Sequence, residues 1–138
     1  MNKICTSIEQ SKKLMELGID TDTADMCYKC LGEDPYDLIV RPYSDWKEEY
    51  KVLLRSGDAK VYPAWSLAAL LSVLPFQIIE NNNRFGFYQV KGFNKQGETY
   101  RFEYKTNNEY FLFETSWYNE PIDAAFEMVC WLKENGKI

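Results

Sequence analysis

The spacing of apolar residues along the chain changes at Pro75. Before this proline, apolar residues recur every three or four positions in several segments, which predicts helices. After it they recur at every second position to about residue 117, which predicts strands. The residues after Pro121 return to the helical period. This order predicts an α+β fold, in which helices surround an antiparallel sheet in the second half of the chain.

Two helices are predicted near the start of the chain. Ser7 and Gln10 have the spacing of a capping box, in which each side chain bonds the backbone N–H of the other. Gly18 suits the left-handed position that ends such a helix. The acids of 20–25 fit the positive end of a second helix, which we expect to continue through 26–31.

A strand and two more helices are predicted in the middle of the chain. The β-branched run 37–41 predicts a short edge strand, and the apolar spacing in 45–56 predicts a helix. The apolar run 63–74 lies between two prolines. Pro63 suits a first helical turn and Pro75 ends the helix, so we expect a buried central helix.

The second half predicts a four-stranded antiparallel meander over about 76–117, with short turns between neighbouring strands. Its clearest strand is 99–105, where aromatic and charged residues alternate. A C-terminal helix begins at Pro121. We expect the N-terminal, central and C-terminal helices to pack mainly on one face of the sheet, within a single domain over 1–138.

Composition narrows the functional classes. The chain has 138 residues, of which 16 % are aromatic, and its net charge is −5. An acidic balance argues against non-specific nucleic-acid binding. The protein contains no histidine, which excludes Ser-His-Asp and Cys-His catalysis and histidine metal sites. We therefore expect a non-enzymatic protein with no cofactor and no metal.

Cys27 and Cys30 form a CxxC pair, which is typical of half a zinc site or of a redox pair. A zinc ribbon needs a second such pair, and a redox motif needs a βαβ context, and neither is found. We interpret the two cysteines as packed side chains on one helix face. The acids of 20–25 depart from the calcium-loop pattern and are interpreted as helix caps.

The ribbon 84–105 carries five basic and two acidic residues, a local charge of +3, together with several aromatic rings. Exposed strand aromatics can stack on bases, so binding of single-stranded nucleic acid through this ribbon is an alternative function. Glu103 and Glu114 are expected to be neighbours on adjacent strands. We interpret them as surface charges balanced by Arg101 and Lys105, rather than as a catalytic carboxylate pair.

The high aromatic content favours a partner-binding surface, because Tyr, Trp and Arg are enriched in interface hot spots. The partner is expected to be another protein or a second copy of the chain, and a homodimer would also cover an exposed strand edge. The candidate surface consists of Arg84, Phe87, Tyr88, Arg101, Tyr110 and Trp117.

Three parts of the sequence, two of which are each given as two pieces, together resemble one group of proteins. They are TSIEQSKKL (6–14), TADM (23–26), PAWSL (63–67), ALL (69–71) and PIDAAFEMVCWL (121–132). The combination resembles small uncharacterised proteins of gut bacteria, phages and integrated elements. The resemblance implies a mobile-element origin and an accessory role, and it implies no functional residues. The first five residues lack the apolar core of a signal peptide, so we expect a cytoplasmic location without membrane association.

Overall fold

The structure is a computed structural model that describes residues 3–138; Met1 and Asn2, at the start of the segment inspected for a signal peptide, lie outside it. Within these residues, five helices accompany two antiparallel sheets of three and four strands, which confirms the α+β prediction. The chain forms two compact units, 4–70 and 71–138 with Lys3. A single domain over 1–138 stays a prediction. No helix in 3–138 is long and apolar enough to cross a membrane.

The unit 4–70 is built around a three-stranded sheet. Its elements are α1 (Ile8–Glu16), β1 (Met26–Leu31), β2 (Asp37–Ile39), α2 (Tyr43–Glu49), α3 (Lys51–Ser56) and β3 (Ala59–Ala64). Strand β1 is central, in the order β2-β1-β3. The capping box of α1 is confirmed, since Gln10 N donates to Ser7 Oγ at 3.1 Å and Ser7 N donates to Gln10 Oε1 at 3.0 Å.

The predicted helix through 26–31 is wrong, because these residues form β1. All six of them pair in register with the six residues of β3, so partners distant in sequence override the local helical pattern. The neighbouring acids do act as caps, but elsewhere. Asp20 accepts from Asp22 N in a 3₁₀ turn, and Asp25 accepts from Ser66 N at 2.9 Å.

The helix predicted over 63–74 is shorter than expected. Pro63 lies in β3, an edge strand that tolerates a missing N–H, and helix α4 covers Leu67–Val73. Ser66 Oγ accepts from Ala69 N at 3.2 Å and so caps α4. The helix predicted over 45–56 is present as α2 and α3, which meet at Tyr50.

The unit 71–138 contains the predicted meander. Its elements are β4 (Gln77–Glu80), β5 (Asn83–Asn94), β6 (Gly97–Lys105), β7 (Phe111–Glu114) and α5 (Pro121–Glu134), and the strands lie in the order β4-β5-β6-β7. Helix α5 packs against β6, and the Trp131 ring stacks on Phe113 with centroids 4.4 Å apart. Phe102 and Tyr104 are fully buried on this side of the sheet.

The last strand is shorter than the predicted 110–117. A bulge between Tyr104 and Lys105 shifts the register of β6 against β7, and β7 ends at Glu114. The chain rejoins β6 further along, where Tyr118 exchanges two backbone hydrogen bonds with Tyr100, at 2.7 and 3.0 Å. This bridge fixes the position of the preceding residue, Trp117.

Candidate functional site

The candidate site is the sheet face that points away from Phe102 and Tyr104, which we call the outer face. Side chains alternate along a strand, and residues paired across strands share a face. The outer face therefore carries residues of β5, β6 and β7 and the ring that follows β7. They are Arg84, Tyr88, Arg101, Glu103, Lys105, Phe111, Glu114 and Trp117.

A buried carboxylate lies at the centre of the outer face. Glu103 is only 1 % exposed, although its neighbours in the row, Tyr88 and Glu114, are exposed. Its Oε2 accepts from Arg101 Nε at 3.0 Å and Nη2 at 2.7 Å, while Oε1 lies 3.3 Å from Lys105 Nζ. Burial of a charge is costly unless it is paired, and here two cations flank it.

The sequence interpretation of Glu103 was therefore half right. Glu103 and Glu114 do face each other across β6 and β7, and Arg101 and Lys105 do balance the charge. Glu103 is not a surface charge, however, because the two long basic side chains flank its carboxylate on both sides. Arg101 also lies 3.6 Å from Glu114 and so bridges both acids, as in a structural ion-pair network.

Partly exposed aromatic rings contact Arg101 and Lys105, the two cations of this network. Lys105 Nζ lies 4.9 Å from the ring centroid of Tyr88 and 5.8 Å from that of Phe111. The Arg101 guanidinium lies 4.6 Å from the Trp117 ring. The three rings are 40 %, 44 % and 45 % exposed, in chain order. Cation–π contacts thus hold partly exposed rings in fixed positions on the outer face.

The charge of Lys105 is stabilised by this arrangement. Desolvation lowers the pKa of its ammonium group, but the hydrogen bond and charge of Glu103, with the charge of Glu109, outweigh it and raise the pKa overall. Glu109 lies 3.6 Å from Lys105 Nζ. Arg101 and Lys105 are therefore both paired with carboxylates of the same sheet and its turn.

A recess of about 280 Å³ opens beside Trp117 and is lined by Gly92, Phe93, Asn94, Thr99 and Trp117. A Cβ at Gly92 would lie 3.0 Å from Thr99 Oγ1 and 3.2 Å from Trp117 Cζ3. Glycine is therefore what lets the indole lie close to β5. The Phe93 ring is 79 % exposed, so both aromatic residues lining this recess present surface to solvent.

Four of the six candidate residues predicted from the sequence lie on the outer face of the structure. Arg84, Tyr88, Arg101 and Trp117 belong to the outer face, and Arg84 is exposed near the β4 side of the sheet. The other two candidates, Phe87 and Tyr110, lie outside the outer face.

Phe87 points to the opposite face, where its ring packs 5.5 Å from Phe102 and 5.3 Å from Tyr104. Tyr110 is 71 % exposed, in the turn before β7. Lys105 and Phe111 were missed as site residues. The alternation of 99–105 already placed Lys105 beside Arg101, whereas the bulge that brings Phe111 there leaves no signal in the sequence.

The CxxC pair does not form a shared site. Cys27 and Cys30 lie on β1 rather than on a helix, and residues three apart on a strand point to opposite faces. Burial raises the pKa of the Cys27 thiol to about 11, despite the nearby charges of Arg41 and Lys29. Cys30 Sγ donates to Asp34 O at 2.7 Å. No cluster of three metal-ligating side chains occurs in the part of the chain that the structure describes.

Comparison with known proteins adds no assignment to this geometry. No family model matches the chain, and no curated protein and no solved structure shows significant similarity to it.

Proposed function

We propose that this protein is a non-enzymatic, cytoplasmic accessory protein of mobile-element origin that binds another protein through the outer face. The observation that carries the proposal is the set of partly exposed rings Tyr88, Phe111 and Trp117, each in contact with a cation that is already paired. Such rings contribute large contact areas at low entropic cost, and Tyr, Trp and Arg dominate interface hot spots.

The charge distribution favours a protein partner over single-stranded nucleic acid. Lys91 pairs with Glu98 at 3.3 Å, and Arg101 and Lys105 are neutralised as described. Glu109 and Glu114 add two negative charges, so the local charge falls from the +3 of the ribbon 84–105 to +1. Lysine and arginine side chains bind nucleic acid by neutralising phosphates, which releases the counterions condensed on the strand. Most cations of this ribbon are already paired with carboxylates and are not available for this role.

The test is affinity capture from the organism that encodes the chain, followed by binding of the purified candidate partner. Tyr88→Ala and Trp117→Ala are the test variants, and Tyr110→Ala and Phe76→Ala remove exposed rings outside the outer face. We expect each test variant to weaken binding about thirtyfold or more, as hot-spot rings do, and the controls to bind like wild type. Size-exclusion chromatography with light scattering identifies a self-partner, as a mass twice the 16.3 kDa of the chain.

Equal binding by folded wild type, Tyr88→Ala and Trp117→Ala would overturn the proposal. Binding of a single-stranded oligonucleotide that depends strongly on salt and is lost in Tyr88→Ala would instead support the alternative function, nucleic-acid binding.

A further inference from the structure

A second surface in the unit 4–70 carries a stripe of basic side chains. Lys47, Lys51 and Arg55 occur at four-residue intervals across α2 and α3. Helical hydrogen bonding continues through the junction, since Tyr50 N donates to Trp46 O at 3.0 Å and Leu54 N donates to Tyr50 O at 2.9 Å. A four-residue interval returns to one side of a helix, so the three cations share one side.

The adjacent side of the same helices is fixed by the core. Trp46 belongs to the buried cluster with Cys27 and Val61, and Tyr50 and Leu54 pack against it. The basic positions follow these apolar positions by one residue each. Successive residues lie about 100° apart around a helix, so the stripe borders the core-facing edge, and all three basic side chains are exposed.

Among the described residues, the cations of this stripe are not neutralised by ion pairs. None of the three has a carboxylate within 4 Å among residues 3–138, although Glu48 and Glu49 are close in sequence. Glu49 is instead bound to Arg41 at 2.9 Å. The chain carries a net charge of −5, whereas these three cations lie on one side of a helix without a paired acid in the described chain.

The three cations surround a recess of about 320 Å³, which is lined by Lys47, Glu48, Lys51, Leu54 and Arg55. Leu54 supplies an apolar contact between the charges. We propose that this recess binds an acidic peptide segment of a partner protein, with carboxylates on the cations and an apolar side chain against Leu54. Charge complementarity supplies the specificity for an acidic ligand.

A polyphosphate chain fits this recess less well than a peptide does. Glu48 lies in its wall and would repel a continuous row of phosphates, whereas a peptide can place an apolar or neutral residue there. The proposal is independent of the outer face, because it concerns different residues of the other unit.

The experiment titrates the whole protein into a fluorescein-labelled hexapeptide with four Glu and two central Leu, followed by fluorescence anisotropy at low salt. The test variant is Lys51→Gln with Arg55→Gln, and the matched control is Lys60→Gln, an exposed lysine on β3 of the same unit. We expect the test variant to bind about five- to thirtyfold more weakly, since an exposed ion pair contributes up to about fivefold. The control should match wild type.

Any of three results with the peptides would overturn the proposal. They are absence of saturable binding, equal binding by the test variant, and equal binding of a peptide with Gln in place of Glu. A single-stranded oligonucleotide of equal charge that binds more tightly, and is lost in the test variant, would assign the recess to polyanions instead. Circular dichroism checks that each variant is folded, and Lys51→Gln alone replaces the double variant if that one unfolds.

Discussion

Replacing Glu103 by glutamine should destabilise the protein by about 2 kcal/mol, although the substitution changes neither size nor shape. The carboxylate is 1 % exposed and accepts two hydrogen bonds from Arg101. Glutamine keeps one acceptor oxygen but removes the charge that Arg101 and Lys105 share. The two like charges then face each other across a neutral amide.

The magnitude follows from the exposure of the partners. Removing one member of a fully buried ion pair costs about 3–5 kcal/mol. Here the Arg101 and Lys105 side chains are 24 % and 19 % exposed, so water can partly solvate them, and Glu114 remains 3.6 Å from Arg101. The expected cost is thus nearer to the loss of a charged hydrogen bond, about 1.5–3 kcal/mol.

The assay is urea unfolding followed by far-ultraviolet circular dichroism, which gives the free energy of unfolding by linear extrapolation. Glu114→Gln is the matched control, because this acid contacts the same arginine from the next strand but is 45 % exposed. We expect the control to lose no more than about 0.5 kcal/mol. Equal small losses for the two variants would refute the reasoning, since they would show that the Glu103 carboxylate is hydrated.

Three further predictions concern other parts of the protein. Gly92→Ala should displace the Trp117 indole, since the new Cβ would lie 3.2 Å from Trp117 Cζ3. In an NMR spectrum the indole N–H resonance of Trp117 should shift while that of Trp65 stays in place, and an unchanged Trp117 resonance would contradict the contact. Asp25→Ala should cost about 1 kcal/mol by leaving Ser66 N unpaired, whereas Asp25→Asn, which keeps the acceptor, should cost less in the same urea assay. Burial raises the pKa of the Cys27 thiol from 9.0 to about 11, so between these pH values the thiol is ionised in the unfolded state but protonated in the folded state. The free energy of unfolding should therefore fall as pH rises from 9 to 11, and it should fall less steeply in Cys27→Ala.

The meander could be predicted from the sequence because its evidence is local. Residues 99–105 alternate strictly, and the flanking turns are short, so both the strands and their antiparallel order follow from neighbours in the chain. The three-stranded sheet could not be predicted in the same way. Strand β1 is stabilised by β3, about thirty residues away, and its own residues carry no strict alternation that distinguishes a strand from a helix.

The candidate site shows the same division between local and distant information. Alternation places Arg101 and Lys105 on one face of the sheet, and it places the consecutive residues Phe87 and Tyr88 on different faces. It does not show that Glu103 is buried, because burial depends on where two long side chains fold back over it. The bulge at Tyr104 and Lys105 and the bridge at Tyr118, which bring Phe111 and Trp117 to the face, depend on pairing between strands.

The buried carboxylate should also control the order of the rings above it, which gives a prediction that needs no partner. Glu103 holds Arg101, and the Arg101 guanidinium lies over Trp117, so removing the charge should loosen the indole. We expect Glu103→Gln to lower the ¹⁵N heteronuclear NOE of the Trp117 indole N–H, assigned through Trp117→Phe, while the buried Trp65 indole stays unchanged. Glu114→Gln should leave both values near those of wild type.

The physical reason is that rings fixed before binding lose less entropy on contact with a partner, so a buried network beneath an exposed surface favours association. An unchanged Trp117 value in a folded Glu103→Gln protein would separate the two roles. It would show that Glu103 stabilises the sheet without ordering the outer face, and the proposed interaction surface would then have to rely on flexible rings.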